Sequence, residues 1–467
     1  MRAGLLLAVV VACSGGAAQA PDPVVDPKPV QPSPKAKDYK AEVDALATQL
    51  IDGEWMVGVS VGLIHDGSVH YYGYGRASAA AKRAPDADTL FEIGSVTKVF
   101  TSLLLADAVG RLAVNFEDPA SKFVPEGKRI PAHSRGEITL QHLATHTSGL
   151  PAMPTNFRPK DPANPYADYT VDDLYEFLGG HSLARAPGET YEYSNLAVGL
   201  LGDLLARAGE STYEQLILDH ICGPLQMKRT FITIPESEDN RAGGHDGEGK
   251  PVHGWDIPTL AGAGALRSSV RDMVGFVRAN LTLEHRELGP AMKLTHEPRQ
   301  KIGQPPGDIG LGWHITPDGV RWHNGQTGGF HSYVAFDPEA GVGVVVLSNT
   351  ATPLGDALGQ ALVLMLQGKP YTVPLPTTVK LPEETVAKYV GTYKMSSDFV
   401  ISISRDDDRL FAQATGWPGF RLYASSETEF YLRVVEARIS FLVRDDGAVT
   451  GLVLQQGGQE FRGSRLY

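Results

Sequence analysis

The sequence predicts an α+β domain followed by a small all-β domain, and three observations carry that expectation. Period-two runs stand at both ends of residues 57–349, segments of helical spacing fill the interval between them, and beyond a Pro-rich break the texture turns to short alternating runs. At 467 residues the chain has room for about two to four domains, each able to bury a core. A mean hydropathy of −0.14 excludes a polytopic membrane protein, and 42% apolar residues exclude wholesale disorder. The 42 Lys and Arg against 54 Asp and Glu leave a net charge of −12 and a pI near 5.6. That balance argues against a nucleic-acid partner, which needs clustered cations. The 51 Gly and 32 Pro predict many turns.

From the N-terminus, one Arg is followed by an apolar run from Ala3 to Cys13. Eleven helical residues cover only about 16 Å, half a bilayer core, so the run reads as a secretory signal and not as a span. Val10-Val11-Ala12-Cys13 is similar to a bacterial lipobox, which would make residues 1–13 a lipoprotein signal, lipidate Cys13 and anchor an exported protein at the cell envelope. Ordinary cleavage after Ala18-Gln19-Ala20 is the alternative. Residues 14–37 then read as a Pro-rich tether. With Cys13 lipidated, Cys222 has no disulfide partner; its apolar helical surroundings make it buried filler.

The first domain is expected over 38–368. Val57 to Leu63 alternates, His65-Asp66-Gly67 turns, and Ser68 to Gly75 returns as a hairpin. A second strand pair is expected at 331–337 and 342–349 around Pro338-Glu339-Ala340-Gly341. Helical segments are expected at 96–109, 172–179, 196–208, 212–221, 269–281 and 355–367. A linker at 369–384 precedes residues 385–467, whose alternating strands and acidic or Gly turns predict a small barrel or sandwich. Gly244 to Lys250 has Walker-like spacing, but Pro251 stands where Ser or Thr is needed and no strand precedes it, so it is a loop.

Ser95-Val96-Thr97-Lys98 is an S-x-x-K whose following helix is apolar on nearly all sides and therefore buried. Ser95 sits at that helix's N-terminus, where free N–H groups favour negative charge, and Lys98 lies one turn on along the same side. A lysine on a buried helix must be paired or deprotonated. The pair is either a snorkelling lysine beside a capping serine or a nucleophile with its base. His142 and His146 stand i, i+4, a spacing that suits zinc, but HLATH lacks the Glu of HExxH and no third ligand suggests itself. No G-x-S-x-G is present.

Two further segments, Tyr193-Ser194-Asn195 before a helix and His323-Asn324-Gly325 at a strand edge followed by Gln326, complete a set. S-x-x-K, Y-S-N and H-x-G in this order resemble the penicillin-recognising serine hydrolases, in the branch of class C β-lactamases, D-Ala-D-Ala carboxypeptidases, D-aminopeptidases and esterases. Residues 138–151 and 260–276 also resemble connecting segments of that branch, and the similarity runs from about residue 40 to 367. The resemblance implies a β-lactamase/transpeptidase-like domain, an antiparallel sheet flanked by helices with a helical subdomain. The C-terminal strands resemble an appended lipocalin-like barrel, expected to restrict the site to short substrates.

By position, the resemblance makes Ser95 the nucleophile, with Lys98 and Tyr193 moving its proton. Asn195 would hold the substrate amide and Lys98. The backbone N–H groups of Ser95 and Gln326 would form the oxyanion hole, and Gly325 would let the substrate add to the strand edge. No metal or cofactor is implied, and the partner is a small-molecule or short-peptide substrate. His323 departs from the Lys-Thr-Gly of β-lactamases and transpeptidases. With a reference pKa of roughly 6.5 it attracts a substrate carboxylate less, so weak β-lactamase activity is expected. Arg321, on the same strand face, is the candidate substitute cation. The alternative function is a cell-wall peptide or penicillin-binding module without turnover.

Overall fold

The computed structural model describes residues 37–303, 305–396, 399–415, 419–456 and 459–466. The expected signal, lipobox and nearly all of the tether lie outside the described residues. The first hairpin is β1 (Gly58–His65) and β2 (Ser68–Gly75). His65 pairs with Ser68, which leaves a two-residue loop of Asp66 and Gly67 with φ of 46° and 74°. Two positive φ values make the turn type I′, whose twist suits a hairpin.

The remaining strands are β3 (Leu90–Glu92), β4 (Arg267–Ser269), β5 (Gln300–Ile302), β6 (Gly307–Ile309), β7 (His314–Ile315), β8 (Arg321–Gln326), β9 (His331–Asp337) and β10 (Val342–Ser348). Eight of them form one sheet in the order β2-β1-β10-β9-β8-β7-β6-β5, with β3 and β4 paired separately. β10 lies beside β1, so the two ends of the domain meet in mid-sheet as the distant hairpins require. The strands β5 to β7, which lack the expected run length, extend the sheet beyond β8.

The helices are α1 (Lys40–Asp52), α2 (Thr97–Gly110), α3 (Leu140–Ala144), α4 (Val171–Gly180), α5 (Asn195–Ala208), α6 (Tyr213–Ile217), α7 (Ala261–Gly264), α8 (Val270–Thr282), α9 (Gly289–Thr295), α10 (Leu354–Leu366) and α11 (Glu383–Ala387). Segment 212–221 is shorter than its pattern suggests: after α6 it loosens into a π-helical turn, Leu218–Cys222, and Cys222 is buried there. None of the described helices is long and apolar enough to cross a membrane.

The central strands are buried on both faces, and their alternation divides two cores. Val345 and Leu347 of β10 join Val99, Phe100 and Leu201 on one side, whereas Val344 and Val346 meet Val43, Leu50 and Leu358 on the other. α2 runs inside the first core with eleven of its fourteen residues buried, Lys98 among them.

Residues beyond 390 form a closed antiparallel barrel, not a sandwich. Its strands are β11 (Gly391–Lys394), β12 (Val400–Asp406), β13 (Arg409–Ala414), β14 (Gly419–Ala424), β15 (Glu429–Tyr431), β16 (Ala437–Val443), β17 (Val449–Gln456) and β18 (Gln459–Leu466). β18 returns to pair with β11, which removes the exposed edges. Aromatic rings pack on one another in its core: Tyr389 stacks on Phe441 at 4.3 Å and Phe430 meets Phe441 edge-on at 5.4 Å.

The barrel and the first domain belong to one compact unit, residues 38–467. The Arg433 guanidinium lies 3.8 Å from the Trp55 ring centre and 4.2 Å from that of Tyr423, and donates to the Glu54 carbonyl at 3.3 Å. Arg433→Ala should cost about 1–2 kcal/mol of stability through these lost cation–π contacts. Urea unfolding measures it, and an unchanged midpoint would mean that Arg433 does not hold the barrel down.

Candidate active site

Ser95 lies in a 3-10 turn, Gly94–Val96, that opens into α2. It is half-buried, between the fully buried Gly94 and Val96. Two glycines allow β8 to approach this turn. Gly94 has φ +47°, and a Cβ there would stand 2.8 Å from the Gln326 backbone nitrogen. A Cβ on Gly325 would stand 2.1 Å from the Ile93 carbonyl oxygen and 2.8 Å from the Ser95 nitrogen. The backbone nitrogens of Ser95 and Gln326 therefore border the same narrow gap. β8 pairs with β9 along its length but with β7 only at Arg321 and Trp322. From His323 onward its outer edge has no strand partner among the described residues, as strand addition by a substrate requires.

Lys98 is the most buried charge-bearing group of the site, with no exposed surface. Its Nζ lies 2.9 Å from Ser95 Oγ, 2.8 Å from Asn195 Oδ1 and 2.7 Å from the Ala263 carbonyl oxygen. Burial holds its pKa well below the usual lysine value, so the neutral amine is favoured. A neutral amine has two N–H donors and one lone pair. The Asn195 and Ala263 oxygens can only accept, so they take both donors, and the lone pair is left for the Ser95 hydroxyl. This is the geometry of a general base.

Tyr193 and Asn195 flank Ser194, which is the N-cap of α5: its Oγ accepts from Ala197 N at 2.9 Å and donates to the Pro151 carbonyl at 2.7 Å. The cap fixes its neighbours toward Lys98. The Tyr193 phenol lies beside Ser95, and its ring centre lies 5.0 Å from Lys98 Nζ. Burial pushes the phenol's pKa up, so it remains a proton donor.

Three histidines surround this pair, and burial lowers all three. His314 falls to about 4, and His146 and His323 lie well below the usual imidazole value. His146 packs tilted against the Tyr193 ring at 4.5 Å and accepts the Ser194 N–H at 3.1 Å. His323 is 1% exposed; its Nδ1 donates to the Asn324 carbonyl at 2.5 Å, and its ring lies 6.4 Å from that of Tyr193. It has no charge to offer a substrate carboxylate.

The structure thus gathers Ser95, Lys98, Tyr193, Asn195, His323, Gly325 and Gln326, and it does not gather Arg321. That guanidinium donates to the Gly319 carbonyl at 2.5 Å, at the opposite end of β8 from Gly325. Strand alternation keeps it on the His323 face, but the side chain folds back onto its own turn. His142 and His146 have separate work: His142 Nδ1 accepts the Thr139 N–H at 3.1 Å and closes the capping box of α3. Among the described residues no group of three or more His, Cys, Asp or Glu converges as a metal site would. Burial raises the Cys222 thiol to about 12, which keeps it protonated and inert.

Several contributors carry no sequence signal. The Ala263 carbonyl, His314 and the network behind Gln326 are assembled only by folding. Gln326 Oε1 accepts from His331 at 2.9 Å, His331 meets Asp356 at 2.8 Å, and Asp356 accepts from Asn324 at 2.7 Å. Gln326 Nε2 also donates to the Val434 carbonyl at 3.0 Å, which ties the strand to the barrel.

A beta-lactamase family model matches residues 43–369, and a model described as a domain of unknown function (DUF3471) matches 375–465. The chain belongs to the beta-lactamase family of serine hydrolases. It is 31% identical to a beta-lactamase of Escherichia coli K12 over 342 residues, covering 66% of this chain and 87% of that protein. It is 29% identical to the D-alanyl-D-alanine-carboxypeptidase/endopeptidase AmpH of the same organism over 397 residues, 80% of this chain and 99% of that protein. Among solved structures, a beta-lactamase/D-alanine carboxypeptidase of Yersinia pestis complexed with citrate aligns with a TM-score of 0.62 at 27% identity, over 70% of this chain and 99% of that one. An octameric penicillin-binding protein homologue of Pyrococcus abyssi shares the fold over 91% of this chain and 99% of its own, with a TM-score of 0.64 at 22% identity.

Gly325→Ala should force β8 away from the Ser95 turn and part the two backbone donors. Labelling of Ser95 by a fluorophosphonate should slow by roughly 10²-fold, the typical cost of a lost oxyanion donor. Circular dichroism checks that the chain stays folded, and an unaltered labelling rate would show that these nitrogens do not act together.

Proposed function

We propose that the chain hydrolyses ester or amide bonds through an acyl-enzyme on Ser95, with Lys98 as general base and Tyr193 as the proton carrier to the leaving group. The observation that carries this reading is the hydrogen-bond count at Lys98, which leaves one lone pair and directs it at Ser95 Oγ. Ser95 Oγ attacks the substrate carbonyl carbon while its proton passes to Lys98 Nζ. The oxyanion is held by the N–H groups of Ser95 and Gln326. As the tetrahedral adduct collapses, the C–O or C–N bond breaks and the leaving atom takes a proton from Tyr193, which Lys98 replenishes. Water then attacks the acyl carbon and gives its proton to Lys98; as this second adduct collapses the C–Oγ bond breaks, Lys98 returns the proton to Ser95 Oγ, and the acid leaves.

Asn195 fixes the amine through Oδ1 and has amide N–H groups to offer a substrate carbonyl. The neutral, buried His323 and the turned-away Arg321 support ester, D-aminopeptidase or carboxypeptidase-like chemistry over efficient β-lactam turnover. A panel of a short nitrophenyl ester, D-Ala-p-nitroanilide, an acyl-D-Ala-D-Ala peptide and a chromogenic cephalosporin tests the preference. Cephalosporin turnover far above the others would overturn it.

We also propose export and anchoring through Cys13, supported by the apolar run ending in Val10-Val11-Ala12-Cys13 and the Pro-rich residues behind it. Metabolic palmitate labelling should be lost in Cys13→Ser; label retained in that variant would refute the anchor.

Lys98→Met should slow Ser95 acylation by roughly 10²–10⁴-fold, the usual share of a general base. Because the amine's pKa is lowered, the wild-type rate should persist far below the usual lysine range and fall only as pH drops through the depressed value, where the base becomes protonated. The raised phenol predicts no loss near pH 9. Stopped-flow rates across pH read both limbs. A profile that rises only near pH 10 would mean an ordinary protonated lysine and overturn the neutral-amine reading, and intact-mass spectra without any adduct would favour a binding module.

A further inference from the structure

The cleft at Ser95 holds only about 40 Å³, bounded by Tyr166, Asn195, Trp255 and Ile257. Beside it, across Trp255, Gln326 and Thr327, which line both, lies a second space of about 480 Å³. The larger space lies in the end of the barrel that faces the site, walled by Phe399, Ile401, Ala414, Phe420, Ile439 and Leu454. Its emptiness has a cause in the sequence. The rings of Tyr389, Phe430 and Phe441 pack on one another elsewhere in the barrel core, whereas this space is lined by Ala412, Ala414 and Ala437 among others. Protein interiors close such voids unless something occupies them, and an apolar cavity of a few hundred Å³ has the size of a ligand pocket.

Among the described residues neither space is lined by Lys or Arg apart from the amine beneath Ser95, and Asp246 lines the larger one. That lining disfavours a substrate carboxylate and suits an uncharged chain. The barrel is held over the site by the Val434 carbonyl on Gln326, so the cavity's mouth is registered on the strand that forms the oxyanion gap.

We propose that the barrel lumen is the second half of the substrate site and takes the apolar chain, aliphatic or aryl, of a neutral ester or amide whose reacting carbonyl sits at Ser95. This rests on the acyl-enzyme reading above and adds the substrate class. The barrel then acts as a binding surface and not only as a barrier to long substrates.

The test uses the full chain and p-nitrophenyl esters of acetate and octanoate. Wild type should prefer octanoate at least tenfold in kcat/KM, because buried methylenes favour binding. Ala414→Phe, which fills the space from its wall, should reduce the octanoate-to-acetate ratio at least tenfold. No preference in wild type, or a ratio unmoved by Ala414→Phe, would overturn the proposal. Should that variant fail to fold, competition in the wild-type chain decides: octanamide must inhibit acetate-ester turnover at least tenfold more tightly than acetamide, and equal inhibition refutes the lumen site. Failure of the underlying reading looks different, since neither ester would then be turned over, or Ser95→Ala would retain the activity.

Discussion

A neutral amine in a dry interior is the condition on which this site depends. Lys98 stands on a helix with no room for water, where a charge would go uncompensated, and so its proton affinity is lowered until it can accept a proton from Ser95. Burial alone would make a base of no particular direction. Direction comes from Asn195 Oδ1 and the Ala263 carbonyl, which use up the donors. The carbonyl reaches Lys98 because α7 consists of Ala and Gly: a Cβ on Gly202 of α5 would already stand 3.0 Å from the Gly262 Cα. Close packing of small residues is thus the source of the hydrogen bond that orients the amine.

The second constraint is the approach of β8 to the nucleophile turn. It needs glycine on both sides, at Gly94 and Gly325, and it is braced from behind by Asn324, Asp356, His331 and Gln326. The bracing does not end in the first domain. Gln326 also holds the barrel through Val434, so one side chain joins the strand edge that would receive the substrate to the domain that covers it. Two family modules in sequence are in this way joined in one compact unit.

Much of the fold was legible because its signals are local. The Asp66-Gly67 turn, the alternation of β1, β9 and β10, and the long apolar stretch of α2 each express a period or a turn type over fewer than fifteen residues. The helix α1 also carries such a signal in Val43, Leu46, Ala47 and Leu50. The strands β5 to β7 carry none: two or three residues are too short to show a period, and they exist because β8 offers an edge to pair with.

By itself the sequence determined which residue types stand at Ser95, Lys98, Tyr193, Asn195 and Gly325, and that Lys98 would be buried, since helical spacing and motif order are properties of the chain. Tertiary structure alone decided that the amine's third partner is the Ala263 carbonyl, that His323 is dry and neutral, that Arg321 turns away, and that the barrel's open end meets the cleft. Those are questions of burial, rotamer and docking between residues far apart in the chain, and each is settled by what surrounds a side chain, which no local pattern encodes.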